Sequence, residues 1–365
     1  MGNIHIKSLD IETYRGIKNL KLEDFTGVNV VTGDNNSGKT SILELLNTIS
    51  APTQITTWLS QIRKTEYKKP SITYFEGFID LFSKSNEFNN TISYNITDYN
   101  DKKHRIKVLS EISANSVSVR TVNRLSNIKI TSDEKKIIAK QLKLSFSYNE
   151  QENINYEIYE FQNILEFIHR KDTSSICKPV LYVSPMAHGN TSNYLKEVLN
   201  DSELYPEMLS ILQDFDSDII SINQYSSQIS TNEYWGILSK RMKNALPLNM
   251  YGDGMKKAIL LMSAVVVAKG GILLIDEFET AIHTSAMTNI FSWILKTCKK
   301  LDVQLFLTTH SKEALQKVLA LNSELELKDD ITLYTLYRKD GKNIARRLSA
   351  ERAIEADEHF NQELR

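Results

Sequence analysis

Gly33-Asp-Asn-Asn-Ser-Gly-Lys-Thr40 decides the fold. It fits the pattern G-x-x-x-x-G-K-[ST], and its flanks are those the pattern needs. A charge-free apolar run, Val28-Asn-Val-Val-Thr32, leads into it, and an amphipathic segment, Ser41-Ile-Leu-Glu-Leu-Leu-Asn47, leaves it. Strand, loop and helix in that order predict backbone N–H groups converging on phosphates at the positive end of a helix. Gly33 and Gly38 let the backbone approach without a Cβ, Lys39 adds a full positive charge, and the Thr40 hydroxyl is placed to ligate Mg²⁺. Asp34, Asn35, Asn36, Ser37 and Ser41 complete the expected cradle.

Working outward, Gly271-Ile-Leu-Leu-Ile-Asp276-Glu277 is an apolar strand ending in two acids. Behind a phosphate loop, Asp276 is expected to complete the Mg²⁺ shell and Glu277 to act as general base on the attacking water. The competing role is a helix N-cap by Asp276. Val303-Gln-Leu-Phe-Leu-Thr-Thr-His310-Ser311 is another strand, and its C-terminal tip presents a histidine. Ligand sites gather at such tips in parallel sheets, so His310 is expected to sense the γ-phosphate. Tyr251-Gly-Asp-Gly-Met-Lys-Lys257 is a Gly-rich turn opening a helix, a second anion nest formed by Gly252, Asp253 and Gly254. One chain already has its own phosphate loop, so this nest is expected to serve the nucleotide of another subunit.

The chain of 365 residues is 41% hydrophobic, long enough for a large core and a second lobe. Lys and Arg total 44 against 45 Asp and Glu, a formal net charge of −1, so nucleic-acid contact would need a local patch. Lys102-Lys-His-Arg-Ile-Lys107 and Arg346-Arg347 are the candidates for contact with DNA, and a solvated surface is the alternative. Cys177 and Cys298 form no C-x-x-C pair, which suits a reducing cytosol and packing roles. No secretory leader or myristoylation motif is read at the N-terminus, so a cytoplasmic protein without a membrane anchor is expected. The apolar run from Ala258 to Ile275 is broken by Lys269-Gly-Gly271, and reads as a buried helix, Lys256 to Ala268, then a strand.

Ile4 to Phe25 reads as two strands joined near Tyr14-Arg-Gly-Ile17. From about 71 to 161 period-2 runs recur, among them Tyr74-Phe-Glu-Gly-Phe-Ile-Asp80, Gln141 to Tyr148 and Asn153 to Phe161, predicting an antiparallel β lobe. A helical lobe is expected over 191–250, in which Asp214, Asp216 and Asp218 form a solvated face. Alternating strands and helices over 251–365 return to a parallel sheet that also takes in the 1–190 part. No fixed-period repeat or sustained heptad pattern is found. The fold class is thus α/β: a phosphate-loop NTPase with an antiparallel β lobe and a helical lobe.

In order, Tyr14-Arg-Gly-Ile-Lys-Asn-Leu, GDNNSGKT, YGDGMKK, GILLIDE, ETAIH and LTTHS resemble the ABC-type ATPases of the RecF/SMC/OLD-like group. The chain looks most like the stand-alone bacterial AAA-type, OLD-like ATPases without a TOPRIM domain, and the likeness extends to Leu333–Gly341 and Asn361–Arg365. The resemblance implies two heads sandwiching two ATP molecules as a homodimer or higher homo-oligomer, with Mg²⁺ as cofactor. It places Arg15 near the nucleotide, Gly252-Asp-Gly254 in the signature position and Glu279 to His283 at the D-loop. The chain departs from the group in lacking a Ser before the signature glycines, and in carrying Ala281 where relatives often have Gly. Gln54 and Gln61 are the candidates for a Q-loop glutamine. The resemblance further implies a sensor or regulator of bacterial antiphage defence working with a separate effector protein. The alternative is a DNA-binding repair or maintenance ATPase of RecF/SMC type. A GTPase is disfavoured because Lys299-Lys-Leu-Asp302 is a poor guanine motif, and a fused nuclease because about 55 residues follow His310.

Overall fold

The protein is described by a computed structural model, which covers residues 3–63, 73–84, 88–126, 135–149, 151, 153–162, 164, 175–185, 187, 192–226, 233–325 and 330–360. The segment Asn361–Arg365, part of the resemblance, lies outside the described residues.

Three strands open the chain: β1 (Ile6–Tyr14), β2 (Ile17–Leu22) and β3 (Val28–Gly33), the last buried along its whole length. Then come α1 (Lys39–Thr48), α2 (Ile55–Leu59) and α3 (Tyr74–Ile79), and a two-residue ladder of β4 (Ser83–Lys84) with β5 (Phe88–Asn89). The lobe continues with β6 (Thr91–Asp98), β7 (Lys103–Ser118), α4 (Val119–Leu125), β8 (Lys136–Tyr148) and β9 (Ile154–Tyr159). Its sheet runs β2-β1-β6-β7-β8-β9, antiparallel throughout, so it recruits the first two strands and is not confined to 71–161.

The expected strand at Tyr74–Asp80 is instead helix α3. Thr73 Oγ1 accepts from Glu76 N at 3.2 Å while Glu76 Oε2 accepts from Thr73 N at 3.1 Å, a reciprocal capping box that starts a helix despite the alternating pattern.

After β10 (Val180–Val183), α5 (Ser192–Leu199) and α6 (Leu204–Gln213), the expected helical lobe gives way to β structure. β11 (Ile219–Ser226), β12 (Glu233–Ser239) and β13 (Leu246–Pro247) form an antiparallel sheet. Ile222 pairs with Ile237 and Tyr225 with Tyr234; such β-branched and aromatic cross-strand pairs favour a ribbon over a helix. Asp214, Asp216 and Asp218 sit on the connection between α6 and β11. Asp214 accepts from Asn289 at 2.8 Å and Asp218 pairs with Arg241, and no group of three or more metal-ligating side chains occurs among the described residues.

The remaining elements are α7 (Asp253–Val267), β14 (Ile272–Ile275), α8 (Thr284–Lys300), β15 (Gln304–Thr308), α9 (Lys312–Glu324), β16 (Ile331–Lys339), β17 (Lys342–Ser349) and α10 (Ala350–Phe360). The second large sheet has the order β10-β14-β15-β3-β16-β17, parallel except for β17. Successive side chains alternate between its two faces. Ile272, Leu274 and Phe306 join the core that holds α1 beneath the antiparallel sheet, and Leu273, Ile275 and Leu305 join the core under α7, α8 and α9. Register brings four strand tips level, since Val183 pairs with Ile275, Ile275 with Leu307 and Leu307 with Val30. Whatever follows those residues is therefore gathered at one edge. Among the described residues no helix is long and apolar enough to cross a membrane.

Candidate nucleotide site

At the tip of β3 the chain turns through Gly33, with φ +137°, where a Cβ would lie 2.1 Å from the Leu336 carbonyl oxygen. Gly38 is at φ +106° and a Cβ there would meet Ile17 Cδ1 at 2.8 Å, so both loop glycines are dictated by backbone and packing. Asp34, Asn35 and Asn36 are exposed, and α1 starts at Lys39 with no side-chain cap on its first N–H groups. Lys39 Nζ donates to Gly33 O at 2.7 Å and Asp34 O at 2.8 Å, which folds its charge over the loop. Burial holds this ammonium below the usual lysine range against the pull of Asp276, Asp34, Glu277 and Glu279. Ser37 Oγ, within the loop, is buried with no partner among the described residues.

Asp276 follows β14 and is almost completely buried. Its Oδ1 accepts from Thr40 Oγ1 at 3.3 Å and Thr308 Oγ1 at 2.5 Å, and its Oδ2 from Tyr182 Oη at 3.1 Å. The Thr40–Asp276 separation is close to the ~3 Å edge of an oxygen octahedron with Mg²⁺ bonds of about 2.1 Å, so this hydroxyl and carboxylate fit that ion. Glu277 is held in a left-handed conformation, φ +46°, with its N–H donating to Thr308 Oγ1 at 2.8 Å. Its side chain is about 40% exposed, Oε1 lies 3.6 Å from His310 Nε2, and Oε2 accepts from Thr280 Oγ1 at 3.4 Å. The loop carrying the histidine is pinned by Glu279, whose Oε1 accepts from His310 N at 2.9 Å and Ser311 N at 3.2 Å.

Lys39, Thr40, Asp276, Glu277 and His310, expected from separate motifs, thus stand together. Arg15 occupies the β1–β2 turn at φ +49°, where it pairs with Glu44 of α1 at 2.9 Å and donates to the carbonyls of Gln61 at 2.8 Å and Asp80 at 3.3 Å. Its guanidinium is engaged by protein groups. Gly252, Asp253 and Gly254 open α7 and take no part in the bonds that tie this cluster together: Gly252 is exposed with nothing within 4 Å of an added Cβ, Asp253 pairs with Lys256 at 2.7 Å, and an added Cβ at Gly254 would lie 2.9 Å from the Ala281 carbonyl oxygen. Of the Q-loop candidates, Gln54 stands at the N-cap position of α2 without a side-chain capping bond, whereas Gln61 is buried with Oε1 unpartnered among the described residues.

Several participants escaped the sequence. Tyr182 is an interior position of the apolar strand β10, and Thr308 is the last residue of β15. Arg63, more than half exposed, donates to Glu44 Oε1 at 2.8 Å and reaches Ser41 Oγ at 3.4 Å, a second cation beside the loop. The signal for Thr308 was there: Leu-Thr-Thr-His-Ser puts two hydroxyls at a strand tip.

A model of the family described as "AAA domain, putative AbiEii toxin, Type IV TA system" matches residues 28–315, more than half of the chain, which therefore belongs to that family. An "ATP/GTP phosphatase" of Helicobacter pylori is 24% identical over 362 residues, covering 92% of this chain and 93% of that protein. The "DNA replication and repair protein RecF" of Rickettsia prowazekii is 34% identical over 106 residues, 28% of this chain and 29% of that protein. Among solved structures, the head of an SMC protein bound to the C-terminal winged helix of ScpA superposes with a TM-score of 0.52 at 13% identity, covering 96% of this chain and 99% of that one. The fold is that of an ABC/RecF/SMC-type ATPase head.

Proposed function

We propose that this ATPase, a member of the AAA-domain family, closes two copies of itself around two Mg·ATP molecules and hydrolyses them at sites shared between the copies. The observation that carries the chemistry is the level set of strand tips delivering Lys39, Thr40, Asp276, Glu277 and His310 to one edge of the sheet. The uncapped N–H groups of α1 and the loop bind the β- and γ-phosphates with Lys39, while Thr40 and Asp276 would hold Mg²⁺. Bound there, the ion neutralises charge developing on the transferred phosphoryl group. Glu277, half-buried and fixed at its backbone by Thr308, accepts the proton of the attacking water, and His310 beside it donates to the γ-phosphate or orients the same water.

The case for sharing rests on Gly252–Gly254, a helix N-terminus turned to solvent on the chain that bears it and suited to a phosphate held elsewhere. Glu277→Gln tests both parts. Hydrolysis should fall at least ~100-fold, with ATP binding kept and a doubled mass on light scattering only when Mg·ATP is present. A mutant that hydrolyses at the wild-type rate would refute the base, and one that stays monomeric with ATP would refute the closure.

The biological setting we infer is a bacterial defence system in which nucleotide-driven closure controls a separate effector, a reading supported by the toxin–antitoxin description of the family. Co-purification from the native host with and without Glu277→Gln, read by mass spectrometry, tests it; no ATP-state-dependent partner would count against it. The second reading, a DNA-binding maintenance ATPase, is favoured by the RecF relatives, and salt-dependent binding to duplex DNA would select it.

A further inference from the structure

Asp276 is a buried carboxylate that makes no ion pair among the described residues, an expensive state for a charge unless a cation joins it. Three hydroxyls reach it, and they divide unequally: Thr40 and Thr308 donate to Oδ1, while Tyr182 Oη donates to Oδ2 at 3.1 Å. An ionised carboxylate only accepts, so the phenolic proton lies in that last bond. Tyr182 stands on β10, the edge strand beside β14, where it pairs with Leu274. Side chains two apart on a strand share a face, so Asp276 continues the face of Leu274. The Tyr182 ring packs with Leu274 against the core around α1, and its hydroxyl reaches along that face to the acid. The backbone repeats the tie, since Asp276 N donates to Val183 O at 3.0 Å. β10 therefore holds the acid by main chain and side chain at once.

We propose that Tyr182 is a positioning residue that sets which divalent cation the site accepts, by holding Asp276 Oδ2 so that Oδ1 alone is offered to the ion. Mg²⁺ demands a near-regular octahedron with bonds of about 2.0–2.1 Å, which one carboxylate oxygen beside the Thr40 hydroxyl suits. Ca²⁺ takes roughly six to eight oxygens at about 2.3–2.6 Å, often with a carboxylate bound through both of its oxygens. Turning Asp276 to present both would break the Tyr182 bond and leave a partly buried hydroxyl without its acceptor. The phenol thus favours the smaller ion, and it does so through the acid. This inference rests on the Mg·ATP reading above.

The test uses Tyr182→Phe, which keeps the ring and removes the donor. Binding of β,γ-imido-ATP is read by calorimetry with either Mg²⁺ or Ca²⁺ at saturation, so that turnover does not enter. Loss of a group that orients a metal ligand lowers affinity about 10- to 100-fold, so the variant should bind the Mg²⁺ complex at least ~10-fold more weakly and the Ca²⁺ complex within ~3-fold of wild type. The wild-type preference for Mg²⁺ over Ca²⁺ should shrink accordingly, and with the metal removed by EDTA both proteins should bind the analogue alike. Unchanged affinity for the Mg²⁺ complex would overturn the proposal. So would an equal loss with both ions, which is what a purely structural role of the hydroxyl gives. Lys39→Ala run alongside separates the failures. If it still binds the analogue, the phosphate-loop reading falls; if it does not, an unaltered ion preference in Tyr182→Phe sinks this inference alone.

Discussion

Replacing Thr308 by valine probes whether one hydroxyl joins the metal-binding acid to the general base. Thr308 is fully buried, and valine matches its shape, so the change removes chemistry rather than volume. Two interactions go: the bond donated to Asp276 Oδ1 at 2.5 Å and the one accepted from Glu277 N at 2.8 Å. A hydrogen bond to a charged group contributes about 1.5–3 kcal/mol, and an N–H left without a partner costs about 1–3 kcal/mol. Asp276 keeps Thr40 and Tyr182, and Glu277 sits partly in solvent, so the expected loss is the lower part of the summed range, ~2.5–4 kcal/mol. At roughly 2 °C per kcal/mol that is a fall in Tm of about 5–8 °C.

Catalysis should suffer as well as stability. The left-handed backbone at Glu277 costs on the order of 1–3 kcal/mol and persists because Thr308 holds its N–H. Freed from it, the carboxylate moves off the line of attack, and kcat should drop about 100-fold with ATP affinity kept, since Lys39 is untouched. Thr308→Ser retains the hydroxyl and should hydrolyse within ~3-fold of wild type while losing about 1 kcal/mol to its missing methyl group. Differential scanning calorimetry and phosphate release at saturating Mg·ATP read the two effects. Wild-type melting and kcat in Thr308→Val, or a Thr308→Ser as slow as valine, would refute the bridge.

The readable part of the site was whatever is written within a dozen residues. The phosphate loop, the two acids after β14 and the histidine after β15 each combine an apolar strand with chemistry at its tip, and the structure sets all three at one edge. The strand-tip hydroxyl of Thr308 was legible but its bridging role was not, because its partners lie 32 and 31 positions upstream and meet it only through the pairing of Ile275 with Leu307. Lys256 to Ala268 read as a buried helix, and of the two adjacent lysines that open it the packing of α7 fully buries Lys257 alone, a distinction that the pair's identical chemistry does not carry. Local pattern also misled. In Thr73-Tyr-Phe-Glu76 the cap outweighed the alternation, and the β-branched run at Ile219–Ile222 found a cross-strand partner beyond residue 232, outside any helical window. Ala281 departs from the group's frequent Gly, and its φ of +67° supplies the physical reason that a glycine suits the position.

Lys39→Ala should abolish measurable ATP binding by calorimetry while leaving the melting curve cooperative; unchanged affinity would remove the phosphate-loop assignment. Ala281→Gly relieves a left-handed alanine at ~1–2 kcal/mol, partly offset by ~0.4–1 kcal/mol of added freedom in the unfolded chain. Tm should therefore rise by about 1–2 °C, and a fall would mean that the D-loop is not strained. At Asp98, burial pushes the carboxyl up, but hydrogen bonds from His104 and the amides of Lys102 and Asn100 outweigh it and hold the group below its ordinary range. Its stabilisation is then fully present above the unfolded value of about 3.9 and lost as pH falls through the folded one. Asp98→Asn should cost ~1–2 kcal/mol at pH 7, with the gap narrowing as pH falls below the unfolded value of about 3.9; a gap independent of pH in acid would refute this. The shared site is best tested at Gly252, because a side chain at Gly254 would strike the Ala281 carbonyl of its own chain and confound the result. At Gly252 the backbone is an ordinary φ of −61° and an added Cβ meets nothing, so Gly252→Trp should melt within ~0.5 kcal/mol of wild type and bind ATP normally. Between two copies, however, the indole fills the space through which the N–H groups must reach the other copy's phosphate. Hydrolysis should be lost, and Glu277→Gln combined with Gly252→Trp should remain monomeric with Mg·ATP on light scattering. Wild-type turnover by Gly252→Trp would mean that each chain hydrolyses ATP alone.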